Sequence, residues 1–581
     1  MTTTNRAPAS TPGRAEASTS SRAGGQGASD ASWPWRRWQR PPFGGVAGGV
    51  ALLCLSLTPS LVPRHWLLQG AVSGVSAAIG YGLGVLISHL VRQLVPRWRE
   101  PAADVKRGTW WALCGVSLVA IATFGVYAGV WQRELHQLMG IEDPPASSYL
   151  GTVVVAALLM VALVLLGRGV RLAARWVGEH LRRWLHADLA AVLGAVIVGV
   201  LLVGSVEGVV LRATLIVADR SFQAVNEAVA EDVAVPDGPR RSGGPGSHVA
   251  WEDLGSQGRA FVAGAVEPEE LVAVNGRVAA EPIRVYAGLD SAADLDERAE
   301  LAVAELERTG AFEREVLVVA GATGRGWVNP VAAAAIEHLH DGDTALVSMQ
   351  YSYLPSWLSF LADVERAAEA GDELLTHVHA RWSQLPADER PRLLVYGESL
   401  GSLAMESAFE DLDDLRARTD GALFVGPPNV NPLWRDLVAD RDEGSPQQLP
   451  VLDDGVAVRF ATSAADLGRP AAPWERPRVA YLQHPSDPVV WWSPRLAVQR
   501  PAWLAEPRAD DVLEQMRWVP FVTFWQLAAD LAHADQVPAG HGHDYGTLVM
   551  DGWWAVAPPD GWSETELARL RAVLEEVDDA A

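Results

Sequence analysis

Cysteine is almost missing from this chain. Its 581 residues carry two, Cys54 and Cys114, each inside an apolar run. Everything after Cys114 therefore lacks a disulfide framework or a cysteine zinc site. Basic residues are also short, 47 Lys and Arg against 71 Asp and Glu, for a formal net charge of −24. The acidic excess falls after the apolar first part, where no Lys/Arg cluster is available to neutralise phosphates, so no nucleic-acid partner is expected. The first part is short of charge of either sign. Apolar residues make up 49% of the chain, with a mean hydropathy of +0.08, and they concentrate before Asp219. The length allows two or more domains.

Residues 1–41 are rich in Ser, Thr, Ala, Gly, Pro and Arg and read as a disordered tail. No small-residue cleavage site follows the first apolar run, which argues against a signal peptide. Five apolar segments come next: Gly44–Val62, Leu67–Ile87, Trp110–Val130, Leu150–Leu166 and Leu189–Val210. Each is near the ~20 residues a bilayer-spanning helix needs, so residues 42–218 are expected to form a transmembrane helical domain. Pro59 and Pro63 break the end of the first segment. Basic residues alternate between the connections. Arg36, Arg37 and Arg40 precede the first segment, Arg92, Arg97, Arg99, Lys106 and Arg107 lie between the second and third, and Arg168, Arg171, Arg175, Arg182 and Arg183 lie between the fourth and fifth. The other two connections are poor in them. The pattern predicts a cytoplasmic N-terminus and, with five spans, an extracytoplasmic C-terminal domain.

Residues 219–581 read as that second domain. Arg241–Ser247 is a glycine-rich connector whose amides would also suit an anion. Strands are expected at Ile283–Leu289, Val316–Ala320, Thr344–Met349, Leu393–Tyr396, Ala422–Val425 and Val479–Leu482. Helices are expected at Glu297–Arg308, Val331–Leu339 and Leu358–Trp382. Strands separated by helices predict a mostly parallel, doubly wound α/β sheet with reactive groups at the C-terminal strand ends.

The strand Leu393–Tyr396 runs into Gly397-Glu398-Ser399-Leu400-Gly401, with a helix-forming segment behind it. In that context Gly-x-Ser-x-Gly is a nucleophile elbow. The tight turn exposes the serine hydroxyl, and small residues are needed on either side. A serine needs a base, and the base needs an anion to orient it. Asp487, in a proline-bounded loop after a strand, is the acid candidate, with Asp466 as rival. The base lies in Gly540-His541-Gly542-His543-Asp544-Tyr545-Gly546. Both His541 and His543 qualify, and the glycines flanking His541 favour it. Leu400 would supply one oxyanion amide, and Thr323 or Gly324 the second. His541, His543 and Asp544 would also suit a metal, but no third ligand group clusters with them in sequence, so no metal or cofactor is expected.

Six stretches together resemble the bacterial alpha/beta-hydrolase family of membrane proteins, in which a multi-span N-terminal domain precedes a Ser-Asp-His hydrolase domain. They are Ser56-Leu57-Thr58-Pro59-Ser60-Leu61-Val62-Pro63-Arg64, Arg241–Ser247, Gln350-Tyr351-Ser352-Tyr353-Leu354-Pro355-Ser356-Trp357, Gly397–Ser402, His484–Trp492 and Gly540–Tyr545. The resemblance implies the fold and the triad but no substrate. Arg325 departs from an otherwise small-residue oxyanion loop. The expected activity is ester cleavage on a lipid or acylated cell-envelope substrate at the membrane. The alternatives are acyl transfer, or a non-catalytic hydrolase-like domain used for binding.

Overall fold

The computed structural model describes residues 42–94, 103–142, 148–205, 222–223, 225–228, 233–362 and 364–580. The expected disordered tail and the end of the fifth apolar segment, residues 206–210, lie outside them. From Phe43 onward the chain forms one unit. It begins with helices α1 (Phe43–Ser56), α2 (Trp66–Leu94), α3 (Ala103–Leu138), α4 (Ser148–Leu181) and α5 (Ala187–Ser205). The last four are long and apolar enough to cross a membrane. The first is not. Its 14 residues extend about 21 Å at 1.5 Å per residue, short of the ~30 Å of a hydrocarbon layer. The expected span Gly44–Val62 is therefore too long, because the prolines end the helix and Pro59–Arg64 turn into the α/β part, where every residue is buried.

Helices α1 and α2 run antiparallel and touch through backbone. A Cβ on Gly84 would collide with the Gly44 carbonyl, and one on Gly80 with that of Gly48. Large apolar side chains on α3, α4 and α5, such as Leu118, Val153 and Val200, stand exposed, as lipid-facing residues do. The α1–α2 turn, the end of α3 and the start of α4 share one end of this layer. Val62 packs with Leu135 and Met139, and Gly151 lies against Trp66.

The second part is a seven-stranded sheet, parallel throughout, in the order β1-β3-β2-β4-β5-β7-β6. Its strands are β1 (Ile283–Ala287), β2 (Val316–Gly321), β3 (Thr344–Met349), β4 (Arg392–Glu398), β5 (Gly421–Val425), β6 (Val458–Ala461) and β7 (Arg478–Leu482). They are buried almost without interruption, as both-face coverage requires. One face is covered by α6 (Leu295–Thr309), α8 (Val364–Ser383) and α9 (Leu400–Glu406), the other by α7 (Pro330–Leu339), α11 (Leu548–Val556) and α12 (Glu564–Ala580). Helix α10 (Val522–Asp530) packs against α2 and α1.

Three local expectations change. The edge strand β6 adds to the six expected strands. The long helix expected over Leu358–Trp382 is divided into Ser356–Ala362 and α8. Arg241–Ser247 is not a loose connector, and the anion it holds is a carboxylate of the chain itself. Glu305 accepts from Ser242 Oγ (3.0 Å), Ser247 Oγ (2.9 Å) and the His248 N–H (2.6 Å).

Candidate active site

Because the sheet is parallel, β2, β4, β5 and β7 all open at one edge. At the end of β4, Ser399 takes φ 52° and ψ −126°. A non-glycine residue holds such a backbone at a cost of about 1–3 kcal/mol. Its amide is tied to the neighbouring strand end, donating to the Val425 carbonyl at 2.9 Å. Both flanking glycines are sterically required. A Cβ on Gly397 would strike the Gly401 carbonyl, and one on Gly401 would strike the Gly321 carbonyl. Ser399 itself is partly exposed.

Asp487 follows β7 and is fully buried, with three donors on its carboxylate. Val489 N–H reaches Oδ1 at 2.8 Å, and Oδ2 takes the Tyr545 hydroxyl at 2.8 Å and His543 Nδ1 at 2.7 Å. Of the two histidines, His543 is brought to the acid and His541 is not. His541 Nδ1 lies 4.0 Å from Asp511. The glycine flanks that favoured His541 serve the loop instead, Gly540 (φ 91°) and Gly542 (φ 52°) both adopting left-handed backbone. The His543 ring packs against Gly426, directly after β5, where a Cβ would run into the imidazole. Burial pulls the His543 imidazole down, but the charge and hydrogen bond of Asp487 outweigh it. With Glu398 and Asp535 adding, its pKa is pushed up to about 9.

Asp466, the rival acid, follows β6 at the far edge of the sheet. It is spent on a cap, Oδ2 accepting from Thr462 and Ser463. The strained serine, the buried acid and its histidine thus occupy one sheet edge. Residues 283–570 match the alpha/beta-hydrolase family, and residues 57–265 match the alpha/beta-hydrolase family N-terminus. The chain belongs to this alpha/beta-hydrolase family. No curated protein and no solved structure matches it.

In this alpha/beta-hydrolase the loop expected to supply the second oxyanion amide differs from expectation. The Thr323 amide donates to the Trp327 carbonyl at 2.9 Å and the Gly324 amide to the Tyr351 hydroxyl at 3.0 Å. Both are thereby engaged in holding the turn. Arg325 sits within it and offers its carbonyl to Gln350 at 2.8 Å. Leu400 opens α9, so its amide has no helical carbonyl behind it.

Other contributors lie outside the set of expected site residues. Tyr545 braces Asp487 and stacks on His484 at 4.1 Å. His484, pushed down to about 4 by burial, bonds the Gly542 carbonyl at 3.1 Å and so supports the histidine loop. Glu398, inside the elbow, is buried and accepts from Asn329 Nδ2 and the Tyr396 hydroxyl, each at 2.7 Å. Burial raises its pKa against the opposing charge of His543. Its place within Gly-x-Ser-x-Gly is the sequence signal for Glu398. Asn329 and Tyr396 carry none, since their role depends on the fold. Among the described residues, three potential metal ligands converge only at Asp296, Glu300 and His377, on the outside of α6 and α8. There His377 is already bonded to Asp296 at 2.8 Å.

Proposed function

We propose that this protein is a membrane-anchored serine hydrolase that cleaves ester-type acyl groups. Ser399 attacks the acyl carbon, and His543 takes the serine proton through its free Nε2 and returns it to the leaving oxygen. Asp487 fixes the Nδ1–H tautomer and opposes the imidazolium charge. The Leu400 amide and the start of the Gly321–Gly326 loop are the oxyanion donors. Water then releases the acyl group. The observation that carries this reading is the 2.7 Å bond between His543 and a fully buried Asp487, at the sheet edge where Ser399 sits in its strained turn.

Lipid or acylated envelope components are the proposed substrates, on the ground of the apolar helices beside the catalytic part. The basic connections support an extracytoplasmic hydrolase part. Arg92 and Lys106 flank the α2–α3 connection, and Arg182 and Arg183 follow α4, all at the end of the helical layer away from the sheet.

The decisive experiment is labelling of membranes with a fluorophosphonate. Wild type is expected to react, and Ser399→Ala and Asp487→Asn to lose the label. A folded wild type that never reacts would overturn the reading.

A further inference from the structure

Between α1 and α2 the chain leaves the helical layer and lies along the α/β part. Leu61 joins the apolar cluster beneath the sheet, and Val62 closes a smaller one with Leu135, Met139 and Val537. Polar contacts converge on the end of α10. Asp530 accepts from the Ser60 hydroxyl and from the Leu61 N–H at 3.2 Å. It pairs with Arg64, Nε to Oδ1 at 3.0 Å, with both side chains wholly enclosed. Gln526 Nε2 donates to the Thr58 carbonyl at 2.9 Å, and His533 Nε2 bonds the Pro63 carbonyl at 2.8 Å. Arg64 also reaches the helices, donating to Gln69 of α2 at 2.8 Å and, from its backbone, to Gln132 of α3 at 3.4 Å.

The chain that starts at Asp530 is the one that delivers His543. The His543 N–H donates back to the Ala534 carbonyl at 2.7 Å. Gly542 is wedged so closely that a Cβ there would lie 2.6 Å from the Ala534 oxygen and 3.5 Å from Val62 Cγ1. The start of the histidine loop is therefore held by Arg64, its middle by Val62, and its end by its own start. Burial pushes the Arg64 guanidinium down and the Asp530 carboxyl up, each opposed by the other's charge. Neither group is stable there alone.

We propose that Arg64, acting through Asp530, is a positioning residue for His543, which makes the α1–α2 connection part of the catalytic apparatus as well as of the anchor. This rests on the serine-hydrolase reading above.

The test uses full-length protein in detergent. The rate of fluorophosphonate labelling per folded molecule is followed across pH for wild type, Arg64→Met, Arg64→Lys and Val62→Ala. Arg64→Met is expected to slow labelling about tenfold or more, the scale of loss for a displaced catalytic group. It should also lower the apparent pKa of the profile, as His543 loosens from Asp487. Arg64→Lys should recover most of the rate. Val62→Ala, which leaves no charge unpaired, should move the profile the same way, and it carries the test alone if Arg64→Met fails to fold. An unchanged profile in the folded variants, even with less folded protein, would overturn the positioning role and leave the hydrolase reading standing. A wild type that does not label would overturn the hydrolase reading itself.

Discussion

The two parts of this chain reach close packing by opposite means. In the helical layer the tightest approach, between α1 and α2, is made by Gly44, Gly48, Gly80 and Gly84, where backbone meets backbone. In a bilayer there is little hydrophobic gain in bringing large side chains of two helices together, and contact made by removing side chains, as between α1 and α2, suits that setting. In the sheet the same closeness is filled by Val, Leu and Ala of β2, β3 and β4, all buried, where each apolar group removed from water adds stability. Glycines of the sheet part serve packing too, Gly371 of α8 lying against the Ala404 carbonyl of α9, but a further set surrounds the candidate site. Gly397, Gly401 and Gly321 crowd around the serine turn, and Gly540 and Gly542 shape the histidine loop.

The largest effect expected is confined to that second set of loops. His543→Ala should drop turnover about 10⁴-fold or more, as loss of a triad base does, with helical packing unchanged by circular dichroism. His541→Ala should stay within about tenfold of wild type, since a residue outside the proton path loses at most positioning. A silent His541→Ala alongside an active His543→Ala would reverse the assignment.

The pH dependence comes next. A base with a pKa of about 9 is mostly charged at neutral pH. The labelling rate should therefore rise about fiftyfold between pH 7 and pH 9. Stability should move the other way. The folded-state pKa lies above the ordinary 6.5, so the His543–Asp487 pair stabilises fully below pH 6.5 and its contribution is lost as pH rises through about 9. Thermal melts of wild type and His543→Ala should converge over that window. A gap that persists above pH 9 would contradict the pairing.

Packing substitutions give the smaller effects and sharpen the contrast between the two parts. Leu346→Ala in β3 should cost about 2–5 kcal/mol by opening a cavity. Gly80→Ala in α2 should cost about 1–3 kcal/mol by the reverse route, overpacking. Denaturation in detergent measures both. A neutral Gly80→Ala would mean that α1 and α2 separate without penalty.

Much of this molecule is legible in its sequence alone. The strand–turn–helix around Ser399 is local, and its glycines are explained by sterics within a few residues. The parallel sheet follows from alternating strand and helix lengths. What is not legible depends on distant partners. His541 sits between two glycines and His543 follows one, a cue that points to the wrong ring, and only the position of Asp487 on another strand end distinguishes them. The Thr323 and Gly324 amides look available in sequence, yet Trp327 and Tyr351 come within bonding distance and take them. Four-residue β6 carries too short a pattern to stand out beside its neighbours. The Arg241–Ser247 loop resembles an anion cradle because its anion, Glu305, comes from a helix further along the chain.

The tie between Ser60 and Asp530 spans 470 residues of sequence, and that separation sets an order of assembly. During synthesis the connection after α1 emerges long before its partner. At the usual 5–20 residues per second the delay is about half a minute to a minute and a half. Throughout that interval Arg64 carries a charge with no carboxylate to meet it, and the first hairpin must wait with its seat open. The fold is thus completed late, its last quarter closing on one of its earliest turns.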